Sequence, residues 1–139
     1  MRIDLWSDFA CPFCWIGETR LERAIRDLGA ERDIVVVMRS FELDPTAPKR
    51  PEGATVARFA AKYGLTPEAA AERVEDICRM GRAAGLDFRY ATARYSNMLD
   101  AHRLAKHAEA AGIADIHKMD RSVRIVLECF RNQISVRLR

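Results

Sequence analysis

The chain has 139 residues, of which 49% are hydrophobic and 31% charged, so its composition is that of one globular domain and not of a disordered or fibrous polypeptide. Its 23 basic and 20 acidic side chains are mixed along the sequence and give a formal net charge of +3, which creates no strong field. Nothing in the charge favours a nucleic-acid partner, and we expect none. The sequence has no secretory signal pattern and no apolar run near the roughly 18 residues of a membrane-spanning helix, which predicts a cytoplasmic protein without a membrane partner.

The first third of the chain predicts a β-α-β unit, which we assign to residues 1–45. Apolar and polar residues alternate over residues 2–7, as in a short strand. From about Phe13 the apolar residues recur with helical spacing as far as Gly29, a residue type that commonly ends helices. The β-branched run at 34–38 has no polar interruption, which predicts a strand buried on both faces of a largely parallel sheet.

A linker and a helical region follow this unit. Residues 46–54 are rich in proline and glycine and predict a linker, and residues 55–131 predict a helical insertion domain. The expected helices cover residues 55–63, about 66–84, 96–111 and about 114–131, and residues 86–95 are expected to be irregular or briefly extended. The tail at 132–139 alternates apolar and polar residues, which suits either a short strand or a frayed end.

Cys11 and Cys14 stand at the junction of the first strand with the first helix. A cysteine at a helix N-terminus has unpaired backbone N–H groups and the positive end of the helix dipole beside its sulfur, and both favour the thiolate. An offset of three residues places Cys14 on the same side of the helix, where its thiol can resolve a mixed disulfide. This pattern predicts thiol-disulfide chemistry. The main alternative is zinc, but zinc usually takes four ligands and no second close pair of Cys or His follows, so we expect no metal.

The two residues between the cysteines are expected to modulate the thiols. Pro12 suits the first helical position, whereas Phe13 has no polar hydrogen to donate to a sulfur atom. A helix dipole contributes about 0.3–1 kcal/mol and one pKa unit corresponds to about 1.36 kcal/mol, so a large shift needs direct hydrogen bonds to the sulfur. We therefore predict a milder oxidant than proteins that have a histidine between the cysteines.

Three ordered stretches resemble one known family. Residues 3–17, IDLWSDFACPFCWIG, are similar to the opening of the DsbA-like thioredoxin family, specifically its FrnE-like cytoplasmic subgroup. RSFELDP at residues 39–45 is similar to the segment after that subgroup's second strand. Asn97, followed by DAHR at residues 100–103, resembles a later helix start of the same subgroup. The resemblance covers about residues 3–113.

The resemblance implies an α/β, thioredoxin-like fold of the DsbA type that is interrupted by an inserted helical domain. It implies that Cys11 attacks a disulfide and that Cys14 resolves the mixed disulfide. The implied substrates are protein or small-molecule disulfides and thiols, with no cofactor besides the redox-active disulfide and with glutathione as a candidate co-substrate. Trp15, Asn97 and His102 become candidate substrate-binding residues. A tryptophan at this position more often packs in the core, and an asparagine and a histidine near a helix start more often serve local structure.

The sequence departs from the family after about Ile113. The family continues into a cis-proline loop that faces the cysteines, two further strands and a final helix, whereas all five prolines of this chain lie at or before Pro67. We therefore expect a fold that is incomplete at its C-terminal end, from a truncated or frame-shifted product. Two alternative functions stay open. One is a glutathione-dependent isomerase or transferase like 2-hydroxychromene-2-carboxylate isomerase, a type of enzyme that commonly has serine at the position of Cys11. The other is an inactive redox-binding module.

Overall fold

The computed structural model describes residues 1–50, 53–88, 93 and 95–112, and the backbone alone of residues 136–138. The elements, in chain order, are β1 Arg2–Ser7, α1 Pro12–Asp27, β2 Val35–Ser40, α2 Thr55–Tyr63, α3 Pro67–Ala83, β3 Leu86–Phe88, α4 Leu99–Ala110 and β4 Val136–Leu138. The predicted β-α-β opening is confirmed. The predicted helix at 114–131 lies outside the described residues.

Strands β1 and β2 lie side by side and run parallel, with Arg2 opposite Val35 and Ser7 opposite Ser40. Helix α1 forms the crossover between them. Because parallel strands end at the same edge of a sheet, the turn that follows β1 and the loop that follows β2 start next to each other. A backbone hydrogen bond from Phe41 N–H to the Ser7 carbonyl, at 3.1 Å, extends this pairing beyond the strands. Both cysteines follow this edge.

Strand β2 is less buried than the sequence predicted. It begins at Val35, one residue later than expected, and that side chain is 59% exposed. The four residues after Val35 are only partly buried, so the prediction of a strand buried on both faces is wrong. Among the described residues the sheet that contains β2 has two strands, and a sheet this narrow leaves the aliphatic side chains of β2 with few neighbours.

Local start and stop signals position the helices of the second half. The Thr66 hydroxyl caps α3 and Pro67 occupies its first turn, as predicted. Gly64 ends α2 in the left-handed conformation, with φ of 63°. Helix α4 begins later than predicted, at Leu99, and the Asn97 side chain accepts the Leu99 N–H at 3.0 Å.

One hydrophobic core joins α1 to α3 and β3. Its buried members are Ile16, Val74, Ile77, Cys78, Leu86 and Phe88. Ile16 follows Cys14 by two residues, so the helix that carries the cysteines is packed on this core. Strand β3 pairs antiparallel with β4, which shows that the tail contains a short strand. The division of the chain at residues 45, 54 and 131 stays a prediction.

Gly81 leaves room in this core for the ring of Phe88. A Cβ atom at residue 81 would lie 2.4 Å from Phe88 Cδ2, and the ring is 5% exposed, so it cannot move into solvent without opening the core. We expect Gly81→Ala to lower the free energy of unfolding by about 0.5–2 kcal/mol, as measured by urea unfolding, because the usual overpacking cost of about 1–3 kcal/mol exceeds the roughly 0.5–1 kcal/mol that alanine gains over glycine inside a helix.

Gly17→Ala is the matched control for this change. Gly17 lies inside α1, is exposed, and has nothing within 4 Å of the position that a Cβ would occupy. Alanine there should raise the free energy of unfolding by about 0.5–1 kcal/mol, because glycine is a poor helix former. Equal effects at Gly17 and Gly81 would contradict the packing explanation.

Candidate active site

Cys11 and Cys14 begin α1 at the C-terminal end of β1. Cys11 is the N-cap residue, with φ of −97° and ψ of 108°, and its Sγ accepts the Cys14 N–H at 3.3 Å. The Cys11 carbonyl accepts the N–H groups of Cys14 at 3.1 Å and Trp15 at 3.4 Å. Pro12 occupies the first turn, where its missing N–H leaves no helical hydrogen bond unmade. Both cysteines are free thiols and partly buried. The contact between Cys11 Sγ and the Cys14 N–H shows that the structure brings the two residues together, as the spacing predicted.

The Cys11 thiol ionises poorly. Burial raises its pKa, the neighbouring Cys14 thiol raises it further, and the backbone N–H groups of Cys14 and Phe13 offset these effects only in part, which leaves a pKa of about 11. The Phe13 side chain is 56% exposed and has no polar hydrogen. The raised pKa of Cys11 agrees in direction with the weakly activated thiol that Phe13 predicted. Its largest cause is burial, which the sequence did not reveal.

Trp15 packs next to the cysteines. Its indole N–H donates to the Phe9 carbonyl at 3.2 Å, and its ring lies against the core. The indole therefore fixes the turn before Cys11 to the first turn of α1. These contacts are those of a packing residue, and a substrate-binding role for Trp15 stays a prediction.

Asp8 directly follows β1, at the start of the turn that leads to Cys11, and is 2% exposed. Its Oδ1 accepts the Ala10 N–H at 3.1 Å, and its Oδ2 accepts the Leu43 N–H at 2.7 Å. Its main-chain carbonyl accepts the Cys11 N–H at 3.0 Å. One residue thus joins the turn that carries Cys11 to the loop after β2. No role is predicted for Asp8 from the sequence, although the position of an acid between a strand and a redox cysteine is a signal that could indicate one.

The environment of Asp8 stabilises its ionised form. Burial by itself would raise the pKa of Asp8, but the His102 imidazole and the N–H groups of Leu43 and Ala10 outweigh burial and hold the pKa below its ordinary value. A carboxyl group with a lowered folded pKa stabilises the fold above its unfolded pKa of about 4, and this contribution is lost as the pH falls through the folded pKa.

We expect Asp8→Ala to lower the free energy of unfolding by about 2–4 kcal/mol at pH 7, because two backbone N–H groups lose their acceptor in a buried turn. The difference from wild type should shrink as the pH falls below about 4, where the wild-type carboxyl takes up a proton. Urea unfolding at several pH values measures both effects. Asp27→Ala, at a side chain that is 72% exposed, is the control and should change stability little at any pH. A difference for Asp8→Ala that does not vary with pH would contradict the assignment.

His102 is a buried residue of α4 that reaches the turn before Cys11. The residue is 7% exposed, and its Nε2 lies 3.5 Å from Asp8 Oδ1. Its ring lies 4.7 Å from the Phe9 ring, centroid to centroid. The structure therefore places His102 beside the cysteine turn, in contact with residues of the chain itself.

Asn97 lies against the loop that follows β2. Its Nδ2 donates to Glu42 Oε1 and to the Pro45 carbonyl, both at 3.2 Å, and its backbone N–H donates to the Pro48 carbonyl at 2.9 Å. These bonds hold that loop next to the start of α4. Among the contacts that the structure shows, Asn97 touches neither Cys11 nor Cys14. The substrate-binding roles of Asn97 and His102 stay predictions.

A cavity of about 40 Å³ lies between α1, β2 and α4. Its lining includes Trp15 and Glu18 of α1, Arg39 of β2, and His102 and Lys106 of α4. This volume has room for about one to three water molecules and is far below the roughly 300–1,000 Å³ of a small-molecule pocket.

Within the described ranges, no three His, Cys, Asp or Glu side chains are grouped closely enough to hold a metal ion. No helix in this part of the chain is long and apolar enough to cross a membrane.

Comparisons with known proteins agree with this arrangement. The sequence pattern of the DSBA-like thioredoxin domain matches residues 2–129. The crystal structure of a probable DsbA oxidoreductase from Streptomyces coelicolor is similar with a TM-score of 0.75 and 35% identity, over 81% of this chain and 48% of that chain. The uncharacterised protein YwbO of Bacillus subtilis (strain 168) is 37% identical over 46 residues, which are 33% of this chain and 21% of that protein. The chain thus spans about half the length of the solved relative and about a fifth of the curated one.

These similarities confirm the predicted α/β, DsbA-type thioredoxin-like fold. The similarity to the Streptomyces coelicolor structure covers most of this chain, and the domain match runs from residue 2 to residue 129 with the Cys-x-x-Cys turn inside it. The chain belongs to the DsbA-like thioredoxin-domain family.

Proposed function

We propose that the chain is a thiol-disulfide oxidoreductase in which Cys11 attacks a disulfide and Cys14 resolves the mixed disulfide. The observation that carries this proposal is the geometry of the pair, in which Cys11 Sγ accepts the Cys14 N–H at 3.3 Å at the start of a helix. The family and the similar probable DsbA oxidoreductase support the class of chemistry.

The proposed reaction is two successive exchanges. The Cys11 thiolate attacks one sulfur of the substrate disulfide, forms a mixed disulfide, and releases the other sulfur as a thiolate that takes up a proton. The Cys14 thiolate then attacks the Cys11 sulfur, which forms the Cys11–Cys14 disulfide and releases the second substrate thiol. Two electrons pass from the cysteine pair to the substrate, and the same steps in reverse oxidise a dithiol.

The raised pKa of Cys11 supports a mild oxidant. A stabilised thiolate favours the reduced form of a cysteine pair, and this is why the strongest oxidants of this chemistry have low thiol pKa values. Burial of Cys11 raises its pKa to about 11 and removes this advantage. We therefore propose a reduction potential closer to that of thioredoxin, about −270 mV, than to that of DsbA, about −120 mV.

The finer assignments follow from the sequence resemblance. We propose membership of the FrnE-like subgroup, a cytoplasmic location, and protein or small-molecule disulfides as substrates. Glutathione is the proposed co-substrate, and the proposed reaction needs no cofactor beyond the cysteine pair. A glutathione-dependent isomerase has less support, because Cys11 stands where those relatives commonly have serine and a second thiol has no step to perform there.

The test of the proposed function is the reduction of insulin by dithiothreitol in the presence of the 139-residue chain. We expect the chain to accelerate precipitation of the insulin B chain above the rate with dithiothreitol alone. A rate equal to that background would contradict the proposal and favour an inactive redox-binding module.

A further inference from the structure

We infer that His102 is a positioning residue for the cysteine pair, and that it acts by holding the Asp8 carboxylate, which in turn holds the turn that presents Cys11. The inference rests on the proposed thiol-disulfide chemistry. It gives α4, which lies outside the β-α-β unit, a part in that chemistry without contact with the substrate.

The buried side chains of His102 and Asp8 face each other. The His102 side chain is 8% exposed and that of Asp8 is 3% exposed, with Nε2 and Oδ1 3.5 Å apart. The buried Nε2 atom makes no hydrogen bond with any residue that the structure describes. A buried polar nitrogen without a hydrogen bond is costly, and the Asp8 carboxylate, 3.5 Å away, is an acceptor that can offset part of this cost.

Asp8 holds the turn that leads to Cys11. The Asp8 side chain accepts the Ala10 N–H, and its carbonyl accepts the Cys11 N–H, so the turn between β1 and α1 is closed twice by one residue. The second side-chain oxygen is occupied by the Leu43 N–H. A carboxylate that is held in place therefore fixes Ala10, the residue before Cys11, and a fixed Asp8 also positions the carbonyl that accepts the Cys11 N–H.

The ring of His102 and its Nε2 atom face different residues. The ring contacts Phe9, and the Phe9 carbonyl accepts the Trp15 indole N–H at 3.2 Å. Another aromatic ring at position 102 could keep the contact with Phe9. Only a polar group at the position of Nε2 can face the Asp8 carboxylate, so we assign the positioning role to the nitrogen.

The measurable consequence is the effective molarity of the cysteine pair. Closure of a disulfide within a chain depends on how well the two sulfurs are held in reacting positions, and a displaced group lowers this effective molarity steeply. The equilibrium of the 139-residue chain with reduced and oxidised glutathione gives this quantity directly, because its constant for the Cys11–Cys14 pair has units of concentration.

Two polar variants at residue 102 form the test. Glutamine places an amide near the position of Nε2, whereas asparagine reaches only the position of Nδ1. We expect His102→Asn to lower the effective molarity about tenfold and His102→Gln to keep it within about threefold of wild type. His102→Phe, which keeps the ring, should behave like His102→Asn. His107→Asn, at an exposed histidine of the same helix, is the control and should leave the value unchanged.

The results distinguish a failure of this inference from a failure of the proposed function. Circular dichroism and the melting temperature of each variant show whether it folds, and the comparison of asparagine with glutamine holds even if the phenylalanine variant does not fold. Equal values for wild type and His102→Asn would overturn the inference alone, as would equal losses in the asparagine and glutamine variants. A wild-type chain that forms no Cys11–Cys14 disulfide at any glutathione ratio would refute the proposed function and the inference with it.

Discussion

Replacement of Cys11 by serine is expected to abolish the accelerated reduction of insulin completely. A serine hydroxyl forms neither a thiolate nor a disulfide, so the first exchange has no nucleophile. The rate of insulin precipitation with Cys11→Ser should fall to that of dithiothreitol alone. Cys11 is the N-cap of α1 through its sulfur, and serine is a good N-cap residue, so the variant should keep the fold of wild type.

Two further variants make this result specific. Cys14→Ser keeps the attacking thiol but cannot resolve the mixed disulfide, so mass spectrometry after exposure to oxidised glutathione should find Cys11 with glutathione attached. Cys78→Ala removes a cysteine that is 6% exposed in the core on α3, and its rate should equal that of wild type. Full activity of Cys11→Ser, or loss of activity in Cys78→Ala with an intact fold, would contradict the assignment of the catalytic thiols.

At pH 7 very little Cys11 is expected to be a thiolate, since burial and the Cys14 thiol raise its pKa to about 11. The rate of Cys11 alkylation by iodoacetamide should therefore rise about tenfold for each pH unit and should level off only near pH 11. Peptide mapping by mass spectrometry follows Cys11 separately from the other cysteines. Glutathione, as a small unperturbed thiol, should level off near pH 9 under the same conditions.

Cys14→Ala is the matched variant for this pH dependence. It removes the thiol that raises the pKa of Cys11 but keeps the backbone N–H that lowers it, so the plateau should move to lower pH. The plateau should stay above pH 9 because burial, the largest cause, is unchanged. The raised pKa of Cys11 also makes the stability of the fold depend on pH. The folded chain binds the Cys11 proton more tightly, so stability should fall as the pH rises from about 9 to about 11. A plateau at or below about pH 9 in wild type, where an unperturbed thiol levels off, would contradict the dominance of burial.

Elements with local signals were predictable from the sequence. The Thr66 and Pro67 start of α3 and the Gly64 end of α2 depend on capping and backbone preferences that act within one helical turn. The exposure of β2 was not predictable in the same way. Its run of valines is typical of a covered strand, but how well a strand is covered depends on which other elements pack against it, and Val35 is exposed here.

The site was predictable in its location but not in its electrostatics. The spacing of Cys11 and Cys14 places the first at the N-cap of α1 and the second in its first turn, on the same side of the helix. The pKa of Cys11 depends on burial by residues distant in sequence, which no local pattern encodes. The contact between Asp8 and His102 joins the end of β1 to α4, and neither side chain has a neighbour in sequence that indicates the other.

The core position of Ile16 determines where harmful mutations are expected in a gene that encodes this chain. Ile16 packs with Val74 and Ile77 of α3, so the helix that presents the thiols depends on side chains far from the motif. A genetic selection for loss of redox function should therefore recover substitutions in α3 as well as at the cysteines. The two classes should differ in the cell, since core substitutions reduce the amount of protein that accumulates, whereas cysteine substitutions leave normal amounts of an inactive protein.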